Sequence, residues 1–316
     1  MMLKRRQLLR GTAALGLAAV TAPLLACQKQ MAAGAAPNPP TPASNPNPLK
    51  PPAQGPIPVA FVLSKGAVMI DFAGPWEVFQ DVVTPAGAAF QLYTVSASTA
   101  PIRVSGGMQI VPDYTFENAP PPKIIVIPAQ NDAGDSYLAW IRKQSAQTDV
   151  TMSVCTGAYV LARTGLLSGK RATTFHMAFD NFEKQFPDIQ LQRGLRFVED
   201  GNLASAGGLS SGIDLALRVV ERYFGRDAAE KTAFELEYQG QGWKDPKSNN
   251  AYAVAQALPP GHVRCPVCGM EVDAKTAPTS SYHDHLYYFC TPEDKKTFDA
   301  APDSYATSLA SPSSAK

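Results

Sequence analysis

Short apolar runs separated by stretches of helical periodicity organise the middle of the chain. Pro58-Val-Ala-Phe-Val-Leu63, Phe90-Gln-Leu-Tyr-Thr-Val95, Ile124-Ile-Val-Ile127 and Thr151-Met-Ser-Val154 have little or no polar interruption. Runs this short and this apolar predict strands, the last two buried on both faces. Apolar residues at helical spacing over 71–82, 136–147, 156–164, 178–185, 211–224 and 228–238 predict helices. Residues 191–206, with Asp200-Gly201-Asn202 at the centre, read as a hairpin. Strands alternating with helices predict an α/β domain over 57–243, built on a doubly wound, mostly parallel sheet.

The ends break this pattern. Arg5-Arg6 stand before an apolar stretch, Gly11 to Ala22, that is too short to span a bilayer. This is the form of a twin-arginine signal peptide, and Leu24-Leu-Ala-Cys27 then has the form of a lipoprotein cleavage box. Residues 1–27 are therefore expected to be a leader, with Cys27 left as a lipid-bearing N-terminus. Export by the twin-arginine route would carry the folded chain to the periplasm. Gln28, rather than an aspartate, follows Cys27, which points to the outer membrane. Residues 28–56 are dense in Pro, Ala, Asn and Gln and are expected to form a disordered tether. A polar linker over 244–261 and a disordered tail over 306–316 bracket a small module at 262–305.

Charge narrows the partners. Lys and Arg number 28 against 27 Asp and Glu, a net charge of +1, with no basic run beyond the leader. Nucleic acid is not an expected partner. A small-molecule substrate is expected, with membrane contact through the lipid anchor only. Of the five cysteines, setting Cys27 aside leaves Cys155 and the group Cys265, Cys268 and Cys290. Such clustering reads as a metal or redox site rather than a spread disulfide framework.

Ligands of parallel sheets bind outside the carboxyl ends of strands, where the chain turns into a helix. Two segments place polar residues there: 63–77, containing Asp71 and Gly74, and the turn Val154-Cys155-Thr156-Gly157-Ala158. The second has the form of a nucleophile elbow, in which Gly157 and Ala158 leave room for a tight strand-to-helix turn. A helix N-terminus favours a thiolate on Cys155, and a neighbouring carboxylic acid can stabilise it by hydrogen bonding. The bland alternative is a cysteine acting as small core filler.

Three stretches carry a resemblance: "MIDFAGPWEVF" from Met69, "SVCTGAYVLARTGLLSGKRATT" from Ser153 and "SAGGLSSGIDLALRVVERYFG" from Ser205. Together they resemble the DJ-one/PfpI superfamily of the class I glutamine-amidotransferase-like fold, in the branch of isonitrile hydratases and AraC-regulator sensor domains. The resemblance implies a flavodoxin-like fold in which Asp71 hydrogen-bonds Cys155, with no cofactor in this domain, and a homodimer. It also implies hydration of an isonitrile to an N-substituted formamide by a Cys155 nucleophile. Glyoxalase or deglycase chemistry, oxidant sensing and non-catalytic ligand binding share this constellation. The protease-like branch carries His where Thr156 stands, so peptidase activity is not expected. Relatives with a histidine partner place it in a stretch like "ATTHW". Here Ala172-Thr-Thr-Phe-His176 displaces it by one position.

The module contains Cys265-x2-Cys268-Gly269, the spacing of a metal knuckle, and a third thiol at Cys290 after an apolar run. "PVCGMEV", "YHDHLYYFC" and a later Phe-x3-Pro-x2-Tyr resemble a YHS domain, which implies one bound metal ion. Cys265, Cys268 and Cys290 are the candidate ligands, with Asp294 or His283 as the fourth. Three thiolates suit zinc or cuprous copper, and a carboxylate as fourth favours zinc. A Cys265–Cys268 disulfide without metal is the alternative, and a metal-handling role for the whole chain also stays open.

Overall fold

The computed structural model describes residues 47–85, 87–131, 133–254 and 258–306. The expected leader, the lipid-bearing Cys27, most of the tether and the tail from 307 lie outside these residues. Seven strands form the central sheet: β1 (Ile57–Val62), β2 (Phe90–Ser96), β3 (Tyr114–Thr115), β4 (Ile124–Ile127), β5 (Val150–Val154), β6 (Phe197–Asp200) and β7 (Leu203–Ala206). Their order is β6-β7-β5-β4-β1-β2-β3. Every neighbouring pair is parallel except the β6–β7 hairpin.

Successive residues of a strand point to opposite faces, and here both faces are covered. Val59, Phe61, Ile124 and Val126 join one apolar cluster, with side chains of α1 (Met69–Asp81), α5 (Ser211–Phe224) and α6 (Arg226–Glu235). Ala60, Val62, Ile125 and Ile127 join the other, with α2 (Asp135–Ser145), α3 (Gly157–Arg163) and α4 (Phe179–Gln185). This two-sided burial is why the strands read as apolar runs rather than alternating patterns. Each of the Val, Ile and Phe side chains contributes roughly 1.5–3 kcal/mol on burial, and together they hold the loops at the strands' carboxyl ends in place.

Three expected boundaries shift. The hairpin begins at Phe197, because Gln190–Leu191 pairs in parallel with Arg171–Ala172 instead. The tether already docks at Asn47. Leu49 donates its N–H to the Arg222 carbonyl at 2.8 Å, and Arg222 Nε donates to the Asn47 carbonyl at 2.9 Å. The linker begins as structure: Pro246–Tyr252 is a 3-10 helix capped by Asp245, whose side chain accepts the Lys247 N–H. It is pinned by the Arg196 N–H on the Pro246 carbonyl at 2.6 Å, with Asn249 buried.

The module pairs β8 (His262–Arg264) with β9 (Glu271–Asp273) and β10 (Thr279–Tyr282) with β11 (His285–Tyr288), followed by α7 (Pro292–Ala300). Its core is Cys265, Val272, Tyr287, Phe289 and Phe298, too little apolar surface to order it without help. Part of that help is docking on the main domain. Asn181 Nδ2 donates to the Pro266 carbonyl at 2.8 Å, and Lys65 pairs with Glu293 at 3.5 Å. Gly269 lies so near the Met177–Ala178 backbone that a Cβ on it would sit 2.5 Å from the Met177 oxygen.

Candidate active site and metal centre

Cys155 follows β5 directly and has φ 57°, a left-handed conformation that costs a non-glycine residue about 1–3 kcal/mol. Its surroundings hold it there. Its N–H donates to the carbonyls of Ala206 (3.2 Å) and Gly207 (2.9 Å), and its own carbonyl accepts from Thr174 Oγ1 at 3.0 Å. Two residues on, a Cβ on Gly157 would stand 2.3 Å from the Ile127 oxygen and 2.8 Å from Pro128 carbon. Only glycine lets α3 leave β5 this close to the end of β4. Gly157 therefore serves the turn, and the expectation that it touches substrate gives way to a backbone role.

Asp71, in the first turn of α1, is fully buried. Its Oδ2 accepts the Ala129 N–H at 3.1 Å, while Oδ1 has no hydrogen-bond partner. Burial pushes its pKa up to about 7, and the Ala129 N–H only partly opposes this. The Cys155 thiol is also pushed up, first by burial and then by the Asp71 charge. The Thr156 N–H and hydroxyl and the Leu209 N–H pull the other way without prevailing. The expected thiolate is thus corrected. The desolvated thiol keeps its proton, and it couples to Asp71 through charge, with no direct hydrogen bond between them.

The remaining expected residues separate. Thr156 stays with the thiol. Gly74 faces α5, where a Cβ would stand 2.8 Å from Ile213 Cγ1, so its role is close helix packing rather than substrate contact. The one-position displacement near 175 has a visible result. Phe175 lies over Gly208, where a Cβ would meet its ring at 2.5 Å. His176 instead stacks on Tyr252, ring centroids 4.8 Å apart. Burial and the charge of Arg264 lower the His176 pKa, and nothing pairs it with Cys155 or Asp71. Leu209 is the residue the sequence reading passed over. With φ 47° it turns its N–H toward the thiol, and the preceding Gly207-Gly208 was the available signal.

In the module, the ligand atoms of Cys265, Cys268, Cys290 and Asp294 all lie within 4.8 Å of one another. Asp294 reaches them because Thr291 caps α7, its side chain accepting the Asp294 N–H at 3.0 Å, with Pro292 starting the helix. Cys290 Sγ lies 2.9 Å from Asp294 Oδ2 and Cys265 Sγ 3.4 Å from the same oxygen. Cys265 is drawn down in pKa by the Cys268 and Cys290 thiols, which are themselves pushed up. A convergent, mostly buried set of three thiols and one carboxylate fits a thiophilic cation. Between the two candidates for fourth ligand, the geometry selects Asp294. His283 is exposed at the β10–β11 turn, with φ 48°, and its ring meets Tyr282 edge-on. All four described cysteines are free, and the Cys268 and Cys290 sulfurs, 3.3 Å apart, are in contact.

A cavity of about 530 Å³ borders the metal cluster and reaches Thr156, the residue after Cys155. Gly66, Ala129 and Thr156 line it from the main domain, and Cys268, Cys290 and Asp294 line it from the module. Cys155 is not itself part of the lining. Tyr159, one turn along α3, also lines it and donates to Asn181 Oδ1 at 2.6 Å.

Comparison with known proteins agrees with this geometry. Residues 58–222 match the DJ-1/PfpI family, and residues 263–308 match the YHS domain. An isonitrile hydratase of Pseudomonas putida is 35% identical over 185 residues, 57% of this chain and 78% of that protein. The HTH-type transcriptional regulator CdhR of Pseudomonas aeruginosa is 26% identical over 54% of this chain, which spans 51% of the regulator. Among solved structures, a ThiJ/PfpI family protein from Pseudomonas syringae aligns with a TM-score of 0.53 at 26% identity. That alignment covers 63% of this chain and 82% of the other. The chain thus belongs to the DJ-1/PfpI family, with a YHS domain at its C-terminus.

Proposed function

We propose that the main domain is an isonitrile hydratase-like enzyme in which Cys155 is the nucleophile and Asp71 its proton carrier. One observation carries this reading. A thiol on a strained elbow feels the charge of a buried acid with pKa near 7 and one carboxylate oxygen free of partners. Similarity to the Pseudomonas putida isonitrile hydratase supports the choice of substrate.

The Cys155 sulfur attacks the terminal carbon of R–N≡C, forming a C–S bond as the thiol proton passes to Asp71. Asp71 returns that proton to the same carbon, giving the thioimidate R–N=CH–S–Cys155. Water adds to this carbon, the nitrogen is protonated, and the C–S bond breaks, with sulfur leaving as the thiol. The net change is R–NC + H₂O → R–NH–CHO. The N–H groups of Thr156 and Leu209 face the sulfur and stabilise negative charge as it develops there. A buried, protonated thiol disfavours the oxidant-sensor alternative, which needs an accessible thiolate. Cys265, Cys268, Cys290 and Asp294 would hold zinc or cuprous copper, a cross-link that orders the module.

The test is incubation with an alkyl isocyanide, following the N-formyl proton by NMR. Formamide should appear with the native chain and not with Cys155→Ala. If no formamide forms with the native chain, the hydratase reading fails. The Arg5-Arg6 and Leu24 to Cys27 patterns support a further reading, that the chain is exported and lipid-anchored through Cys27. Palmitate labelling that is lost in Cys27→Ser tests that part.

A further inference from the structure

We propose that Cys268 and Cys290 form a disulfide-exchange site, at which a small disulfide entering the cavity oxidises the pair and displaces the metal ion. The inference rests on the cluster being the metal site proposed above and adds a route by which the ion leaves. It makes no use of Cys155.

Distance is the first ground. Cys268 Sγ and Cys290 Sγ lie 3.3 Å apart. A tetrahedral zinc ion holds two thiolates about 3.8 Å apart, and a disulfide holds its sulfurs about 2.0 Å apart. The pair stands between these values, so small side-chain rotations reach either state.

Access is the second. Cys268 and Cys290 are half-buried, and both line the cavity of about 530 Å³. Cys265 is 1% exposed and is not part of that lining. A reagent in the cavity therefore meets Cys268 and Cys290, with Cys265 behind them. The neighbours in sequence, Cys265 and Cys268, are not the pair that an oxidant reaches.

The third ground is what each sulfur is attached to. Cys268 stands beside Gly269, which packs on the Met177–Ala178 backbone. Cys290 follows β11 and directly precedes Thr291, the cap of α7. A metal ion and a Cys268–Cys290 disulfide thus tie the same two segments, so oxidation exchanges one cross-link for another. Cys265 and Asp294 are then left as two ligands, too few to keep the ion.

The exchange balances without a further reactant. In the metal-loaded chain both sulfurs are thiolates. One attacks R–S–S–R, forming a mixed disulfide and releasing R–S⁻. The other attacks the cysteine sulfur of that mixed disulfide, closes the Cys268–Cys290 bond and releases the second R–S⁻. The two cysteines lose two electrons, the reagent gains them, and the ion is set free.

The experiment treats the full, zinc-loaded chain with an excess of oxidised glutathione. Released zinc is read with a chromogenic chelator, and the linkage by mass spectrometry of peptides after alkylation. One Cys268–Cys290 link should form for each ion released, with Cys265 still open to alkylation. Dithiothreitol should restore both thiols and the capacity to bind zinc. A link through Cys265, zinc loss without any link, or zinc and thiols both retained under conditions that oxidise dithiothreitol overturns the inference.

The two readings fail separately. Zinc bound at one ion per chain and kept throughout sinks the exchange site alone. A chain that takes up neither zinc nor cuprous copper sinks the metal reading, and displacement with it.

Discussion

The charge of the Asp71 carboxylate opposes ionisation of the Cys155 thiol, and both groups are buried. Burial lifts both pKa values, and the charge of Asp71 lifts the thiol further. One negative charge is therefore tolerated between them, and two are not.

The first consequence is a pH profile. The active state carries one negative charge on the pair, so kcat/KM should rise with pH through about 7 and then level off. Below that point it should fall about tenfold per pH unit. Asp71→Asn should abolish hydration and remove this limb from the rate of Cys155 alkylation. A limb near 7 that survives in Asp71→Asn would assign it to another group.

The same shift predicts a gain in stability. With a folded pKa near 7 against 3.8 as the ordinary value, native Asp71 binds more protons than unfolded Asp71 between these limits. Folding stability contributed by this group therefore falls as pH rises from about 4 to 7. Asp71→Asn relieves the buried charge and should stabilise the chain at pH 8 by up to about 4 kcal/mol relative to its effect at pH 4. Denaturant unfolding at the two pH values measures the difference, which should come with loss of turnover.

Gly157→Ala should be costly for a different reason. The new methyl would meet backbone atoms of Ile127 and Pro128, which cannot rotate away as a side-chain tip can. We expect a loss of about 3 kcal/mol or more, seen as a lower midpoint in urea. Gly74→Ala should cost less, since the atom it meets belongs to the Ile213 side chain.

Metal content should follow the cluster rather than the histidines. Cys265→Ser, Cys268→Ser and Cys290→Ser should each lower bound metal to well below one ion per chain, and Asp294→Ala should weaken retention against a chelator. His283→Ala should change neither, since the imidazole is exposed at a turn. Elemental analysis of the purified proteins decides this. A full metal complement in Cys268→Ser would remove the cluster from consideration.

Much of the chain was legible before any coordinates. Apolar runs at Ile124–Ile127 and Val150–Val154 announce strands because a residue buried on either face of a sheet must be apolar. The elbow form was visible at Cys155-Thr156-Gly157, although a core cysteine stayed open from local sequence, and the pairing with Asp71 was implied by the family resemblance. The spacing of the three thiols marked a metal or redox site, and the YHS resemblance implied the metal. Local sequence does not carry the remainder. Whether Asp294 or His283 completes the cluster depends on the Thr291 cap, which turns Asp294 back toward Cys290. Whether Cys155 is a thiol or a thiolate depends on desolvation by elements distant in sequence. His176 leaves the site because Phe175 fills the space over Gly208, and Leu209 enters it through a left-handed backbone. Sequence determined which chemical groups are present and the layered fold that carries them. Tertiary structure alone decided their protonation, their partners and the cavity that both domains line, because each depends on burial and contact between segments far apart in the chain.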